Sequence, residues 1–167
     1  MFLTNVENLS NVALIEKNSL VLTYSDLNQK VRDFSRFFDD RHLVFIVGEN
    51  DFETIVCYLS AIETGAVPLL LGSKINFDQL NNLIKIYKPK YIFQKLDNIP
   101  HEEFYLATNY HRYSLLINNK NDDIRLHPNL ALLLTTSGST GSPKFVRLTK
   151  KNLISNAQSI SKYLKIT

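Results

Sequence analysis

Residues 136–144, TSGSTGSPK, combine five hydroxyl side chains, two glycines, a proline and a lysine. This set of groups suits a polyphosphate. Gly138 and Gly141 allow positive φ and a close approach of backbone to ligand. Successive N–H groups in such turns form concave anion sites. Ser137, Ser139 and Thr140 offer O–H donors to phosphate oxygens, with Thr136 at the entrance of the loop. Lys144 adds a mobile cation, and a charge-assisted hydrogen bond contributes roughly 1.5–3 kcal/mol. Pro143 stiffens the exit by fixing φ. The segment is not a Walker A loop, which needs glycine before the lysine and Ser or Thr after it; here Pro143 and Phe145 stand there. A solvated Ser/Gly linker has a similar composition. A linker, however, needs neither the apolar run LALLL at 130–134 upstream nor a lysine after proline.

The elements that must hold this loop follow from periodicity. Residues 12–15 and 20–22 read as a hairpin. Thr23 then caps a helix, with Asp26 as its capping-box partner and Leu27, Val31, Phe34 and Phe38 at helical spacing. HLVFIV at 42–47 is a buried parallel strand ending at Gly48. Asn50 with Glu53 reads as the next cap, before a stripe of Phe52, Ile55, Val56, Leu59 and Ile62 that stops at Gly65. Residues 67–71 form a strand, Asn76 opens a helix that Pro89 ends, and 91–93 form another strand. The alternation predicts an α/β fold: βαβ units with a largely parallel sheet flanked by helices. Residues 104–107 and 113–117 read as further strands. Residues 130–135 form the strand feeding the loop, 145–148 a short return strand pairing with it, and Thr149 caps a last helix carrying Leu153, Ile154, Ala157, Ile160 and Leu164.

The loop resembles the phosphate-binding signature of the AMP-forming (adenylate-forming) ligase superfamily, which includes acyl-CoA synthetases, nonribosomal peptide adenylation domains and luciferases. The match runs through Lys144. LTYSDL at 22–27 and LSAIETGAVPLLL at 59–71 are similar to two further family segments, in the same order. The resemblance implies that residues 1–167 are the N-terminal portion of an AMP-binding (adenylation) domain. It implies that the full enzyme activates a small-molecule carboxylate with ATP to an acyl adenylate, then passes the acyl group to coenzyme A or to the phosphopantetheine of a carrier protein. Lys144 is the implied catalytic residue; Thr136, Ser137, Gly138, Ser139, Thr140, Gly141 and Lys144 are the implied nucleotide contacts. Mg2+ is implied with the nucleotide, with no ligand among these residues. The family's magnesium-linked glutamate, ribose-binding aspartate and C-terminal lysine have no counterpart in the 167 residues. Two positions depart from the pattern: Phe145 replaces a usual glycine, and Lys150 stands where many members carry histidine. Phe145 cannot adopt positive φ cheaply, so the backbone after the loop is expected to run differently. The two departures support an alternative, a non-catalytic adenylation-like binding or assembly module.

Composition sets outer bounds. The length allows one domain with a real core. The single cysteine, Cys57, forms no internal disulfide and sits in an apolar helical pattern, which predicts a buried structural thiol and cytoplasmic residence. No run reaches a membrane span, and the start has no signal-peptide pattern. The four histidines lack metal-ligand spacing. Residues 1–123 carry 12 Lys/Arg against 16 Asp/Glu, whereas 124–167 carry 7 and none. The basic end suits an anionic nucleotide; without aromatic interleaving it predicts no nucleic-acid partner.

Overall fold

A computed structural model of the chain describes residues 8–17, 20–39, 41–96, 103–120, 124, 126–135 and 145–165. Strands β1 (Val12–Ile15) and β2 (Val21–Thr23) form the expected antiparallel ribbon, with Ile15 opposite Val21. Thr23 caps α1 (Tyr24–Ser35): its hydroxyl accepts from the Asp26 amide at 3.1 Å, and its own amide donates to the Asp26 carboxylate at 2.9 Å. The Thr23 side-chain bond, with the backbone bond behind it, holds the Asp26 carboxyl below its ordinary range.

Among the described residues the remaining strands build one seven-stranded sheet. In chain order they are β3 (Leu43–Gly48), β4 (Val67–Gly72), β5 (Tyr91–Lys95), β6 (Phe104–Tyr110), β7 (Tyr113–Asn118), β8 (Leu130–Thr135) and β9 (Phe145–Thr149). Helices α2 (Phe52–Thr64), α3 (Phe77–Tyr87) and α4 (Lys150–Leu164) complete the set. The spatial order is β6-β7-β5-β3-β4-β8-β9. The central four, β5, β3, β4 and β8, are parallel; the pairs β5–β7, β6–β7 and β8–β9 are antiparallel. The centre is parallel because β3 and β4 are apolar on both faces and joined by a crossover helix. Antiparallel strands at the margins need only short connections.

Alternate residues of the central strands feed two cores. Val44, Ile46 and Phe93 pack with α1 and α2 on one face. Phe45, Val47, Leu69 and Leu71 pack with Leu80, Leu83 and Ile84 of α3 on the other. Two local expectations are corrected. Asp51, not Asn50, caps α2, accepting from the Thr54 amide at 3.0 Å; the carboxylate of Glu53 is engaged elsewhere and does not close a capping box. The buried line of α2 is Val56, Cys57, Ser60 and Ala61, while Ile55, Leu59 and Ile62 lie at its flanks. Small residues let α2 approach α1 closely, and the Ser60 hydroxyl donates to the Val31 carbonyl at 3.0 Å. Cys57 is fully enclosed, and burial pushes its thiol pKa up. Gly65 ends α2 at φ 83°, a conformation glycine takes without strain. No residue of α4 is buried. Among the described residues no helix is long and apolar enough to cross a membrane.

Candidate functional site

The four parallel strands end on one edge of the sheet, at Gly48, Gly72, Lys95 and Thr135. From that edge the chain leaves β3 towards α2 on one face and leaves β4 towards α3 on the other. Adjacent strands whose connections part in this way open a crevice at their carboxyl ends, the place where open α/β sheets take ligands. Gly48 pairs with Gly72 and Leu70 with Leu134, so β3, β4 and β8 finish nearly level.

Polar side chains line this edge. The Lys95 ammonium lies 2.6 Å from the Glu49 carboxylate. The Lys95 hydrogen bond and charge, assisted by Ser73, hold the Glu49 carboxyl below its ordinary range. Tyr113 donates to Asp51 at 2.7 Å, and its oxygen accepts from the Glu49 amide at 3.3 Å. Burial first, and the bond to Asp51 second, push the Tyr113 pKa up to about 12. Arg112 grips Glu53 with two bonds, 2.9 and 2.8 Å; Glu53 is 1% exposed and Arg112 about half exposed. The Glu53 carboxylate raises the pKa of Arg112 further. Glu16 reaches from the β1–β2 ribbon to accept from the Phe52 amide at 2.6 Å, tying the ribbon to the start of α2. Sequence reasoning did not single out this cluster, because its partners are far apart in the chain.

Thr135 pairs with Phe145, and residues 136–144 are the connection between them. The predicted contacts Thr136, Ser137, Gly138, Ser139, Thr140, Gly141 and Lys144 lie outside the described residues. Their two flanks are described, and these place the ends of the connection at the carboxyl edge, beside the end of β4. Phe145 belongs to β9 and is not among the residues of positive φ. Its ring packs edge-on against Tyr87, centroids 5.0 Å apart at 73°. Lys150 opens α4 at the opposite edge. There it lines a cleft of about 710 Å3 with Arg41, Gly65, Leu130, Thr149 and Lys151. Arg41 fixes the wall of that cleft, donating to the carbonyls of Leu130, at 2.9 Å, and His127. This cleft lies at the edge opposite the one that carries Thr135 and Phe145, the flanks of the 136–144 connection. Among the described residues no three His, Cys, Asp or Glu side chains gather to hold a metal ion. Glu49, Asp51 and Glu53 are each engaged by a cation or a phenol, so they do not fit a magnesium ion.

Residues 5–167 match the family model of the AMP-binding enzyme. The chain belongs to the AMP-binding enzyme family. Trichosetin synthetase PKS-NRPS1 of Gibberella fujikuroi is 28% identical over 166 residues, covering 93% of this chain and 4% of that protein. Equisetin synthetase eqxS of Fusarium heterosporum is 28% identical over 170 residues, with the same coverage. The chain thus spans about 4% of the length of these curated relatives. Among solved structures, ATP-bound MatB from Rhodopseudomonas palustris matches with a TM-score of 0.74 at 18% identity, over 99% of this chain and 37% of that one. O-succinylbenzoate coenzyme A synthetase (MenE) from Bacillus subtilis, in complex with AMP, matches with a TM-score of 0.70 at 18% identity, over 93% and 43%. At that identity the likeness is one of fold, and it agrees with the α/β architecture expected from periodicity. The family segments at 22–27 and 59–71 prove to be structural in this AMP-binding chain. The first is the end of β2 and the capped start of α1; the second is the end of α2, the Gly65 cap and β4.

Proposed function

We propose that residues 1–167 are the N-terminal portion of an adenylation domain, and that the complete enzyme activates a carboxylic acid with ATP. A carboxylate oxygen attacks the α-phosphorus, the bond to the departing pyrophosphate breaks, and an acyl adenylate results. Negative charge grows on the leaving group, so donors fixed around it lower the barrier. In this reading the Lys144 ammonium, the hydroxyls of Thr136, Ser137, Ser139 and Thr140, and the backbone at Gly138 and Gly141 hold the β- and γ-phosphates. The observation that carries the proposal is the pairing of Thr135 with Phe145 at the carboxyl edge: the two residues that flank the phosphate-type sequence meet beside the end of β4, which borders the crevice. The names of the PKS-NRPS relatives support a carrier-protein thiol as acyl acceptor, and the MenE name supports coenzyme A. Cytoplasmic residence is proposed with it, on the support of the single buried thiol.

Carboxylate-dependent exchange of pyrophosphate into ATP, measured on the full polypeptide carrying this segment, tests the reading. Lys144→Ala is expected to lower the exchange rate by about a hundredfold, the scale of losing one donor to a developing anion. Exchange at the wild-type rate removes Lys144 from the mechanism. A second reading, a non-catalytic adenylation-like module, draws on Phe145 and Lys150. It predicts no exchange by the unaltered protein with any carboxylate supplied.

A further inference from the structure

We infer that Phe145 and Tyr87 form an aromatic clasp that positions the stem Lys144 precedes, a role resting on the phosphate-site reading above. Among the described residues strand β9 is an edge strand, hydrogen-bonded on one side only, to β8. Its first rung, Thr135 with Phe145, is the last of the ladder, and Thr135 is exposed. An end rung of this kind frays readily. What ties it down is the Phe145 ring, partly buried against the α3-side core and edge-on to Tyr87. Tyr87 is itself well anchored. It is the last residue of α3, which buries Leu80, Leu83 and Ile84, and the Lys88 amide closes that helix on the Ile84 carbonyl at 2.8 Å. Support therefore runs from the core through α3 and two rings to the residue directly after Lys144. A glycine at 145, usual in the pattern this segment resembles, has no side chain to make the contact. The clasp belongs to this chain, and Phe145 is a positioning residue rather than a catalytic one.

The test titrates the full polypeptide carrying this segment with inorganic tripolyphosphate by calorimetry, with amide exchange and urea midpoints recorded for each variant. Tyr87→Leu and Phe145→Gly are expected to weaken binding about fivefold, equivalent to about 1 kcal/mol. Exchange of the Val146 amide should accelerate with it. Tyr87→Phe, which keeps the ring, should bind as the wild type does. Tyr87→Leu carries the test if Phe145→Gly fails to fold. If Lys144→Ala loses binding while Tyr87→Leu binds like wild type, the clasp is overturned and the phosphate reading stands. Equal losses in Tyr87→Phe and Tyr87→Leu overturn the clasp as well, since the ring would not be what matters. If Lys144→Ala binds like wild type, or the wild type does not bind tripolyphosphate, the phosphate reading fails and the clasp with it.

Discussion

At Gly48 the strand bordering the crevice passes so close to α2 that a Cβ built there would lie 2.3 Å from the Thr54 hydroxyl oxygen and 3.0 Å from its methyl. Thr54 is β-branched and stiff in a helix, so the neighbour yields poorly. Gly72, its cross-strand partner, has nothing within 4 Å of the same position. Gly48→Ala is therefore expected to destabilise the fold by about 1–3 kcal/mol, the usual cost of overpacking. Gly72→Ala should leave the urea midpoint nearly unchanged. Adding Thr54→Ala to Gly48→Ala should recover most of the loss; a double variant no better than the single would place the strain elsewhere. The same scale explains the polar edge: Asp51 serves at once as helix cap and as acceptor for Tyr113, so one carboxylate joins the start of α2 to β7.

Helices α1 and α4 begin with the same device and differ in what it supports. Thr23 and Thr149 both close a capping box, with Asp26 and Asn152. Helix α1 buries Leu27, Val31 and Phe34, whereas α4 buries nothing. Thr23→Ala should lower global stability by about 1 kcal/mol, the typical value of an N-cap. Thr149→Ala should instead loosen α4 alone: its amides exchange faster, with no shift of the urea midpoint, because local opening of an unburied helix is uncoupled from the core. A matching loss of global stability in both variants would show that α4 folds with the core. The β8–β9 hairpin belongs to this scale too, since it is one ladder that delivers both ends of the 136–144 connection to the carboxyl edge.

For the whole molecule, phenols shielded from water shape the response to alkali. Burial raises the pKa of Tyr91, Tyr110 and Tyr113 to about 12, against about 10 in an unfolded chain. Between these values the unfolded state loses protons that the folded state keeps. Their stabilising contribution is thus complete below about pH 10 and falls as pH rises towards about 12, with a limiting slope near 1.4 kcal/mol per pH unit per group. Burial shifts the Tyr58 phenol upward as well, so tyrosinate absorbance should show four of the eight tyrosines titrating late, together with unfolding, and urea midpoints should fall from about pH 9 to about pH 11. Titration of all eight near pH 10 with the fold intact would contradict this burial.

Much of this architecture was legible from local signals. The capping box at Thr23, the αL glycine at 65 and the apolar runs of β3 and β4 depend on neighbours a few residues away, and each lies where periodicity puts it. The donor-rich composition of 136–144 and the family it points to are likewise matters of residue type and spacing. The tertiary structure alone decided which side chains meet across the fold. Arg112 finds Glu53 across 59 positions and Tyr113 finds Asp51 across 62. Phe145 leans on Tyr87, and α2 turns Ser60 and Ala61 inward instead of Ile55 and Leu59. Contacts of this kind arise from the register of strands and the approach of helices, which satisfy the whole core at once and leave no mark in any short window of sequence.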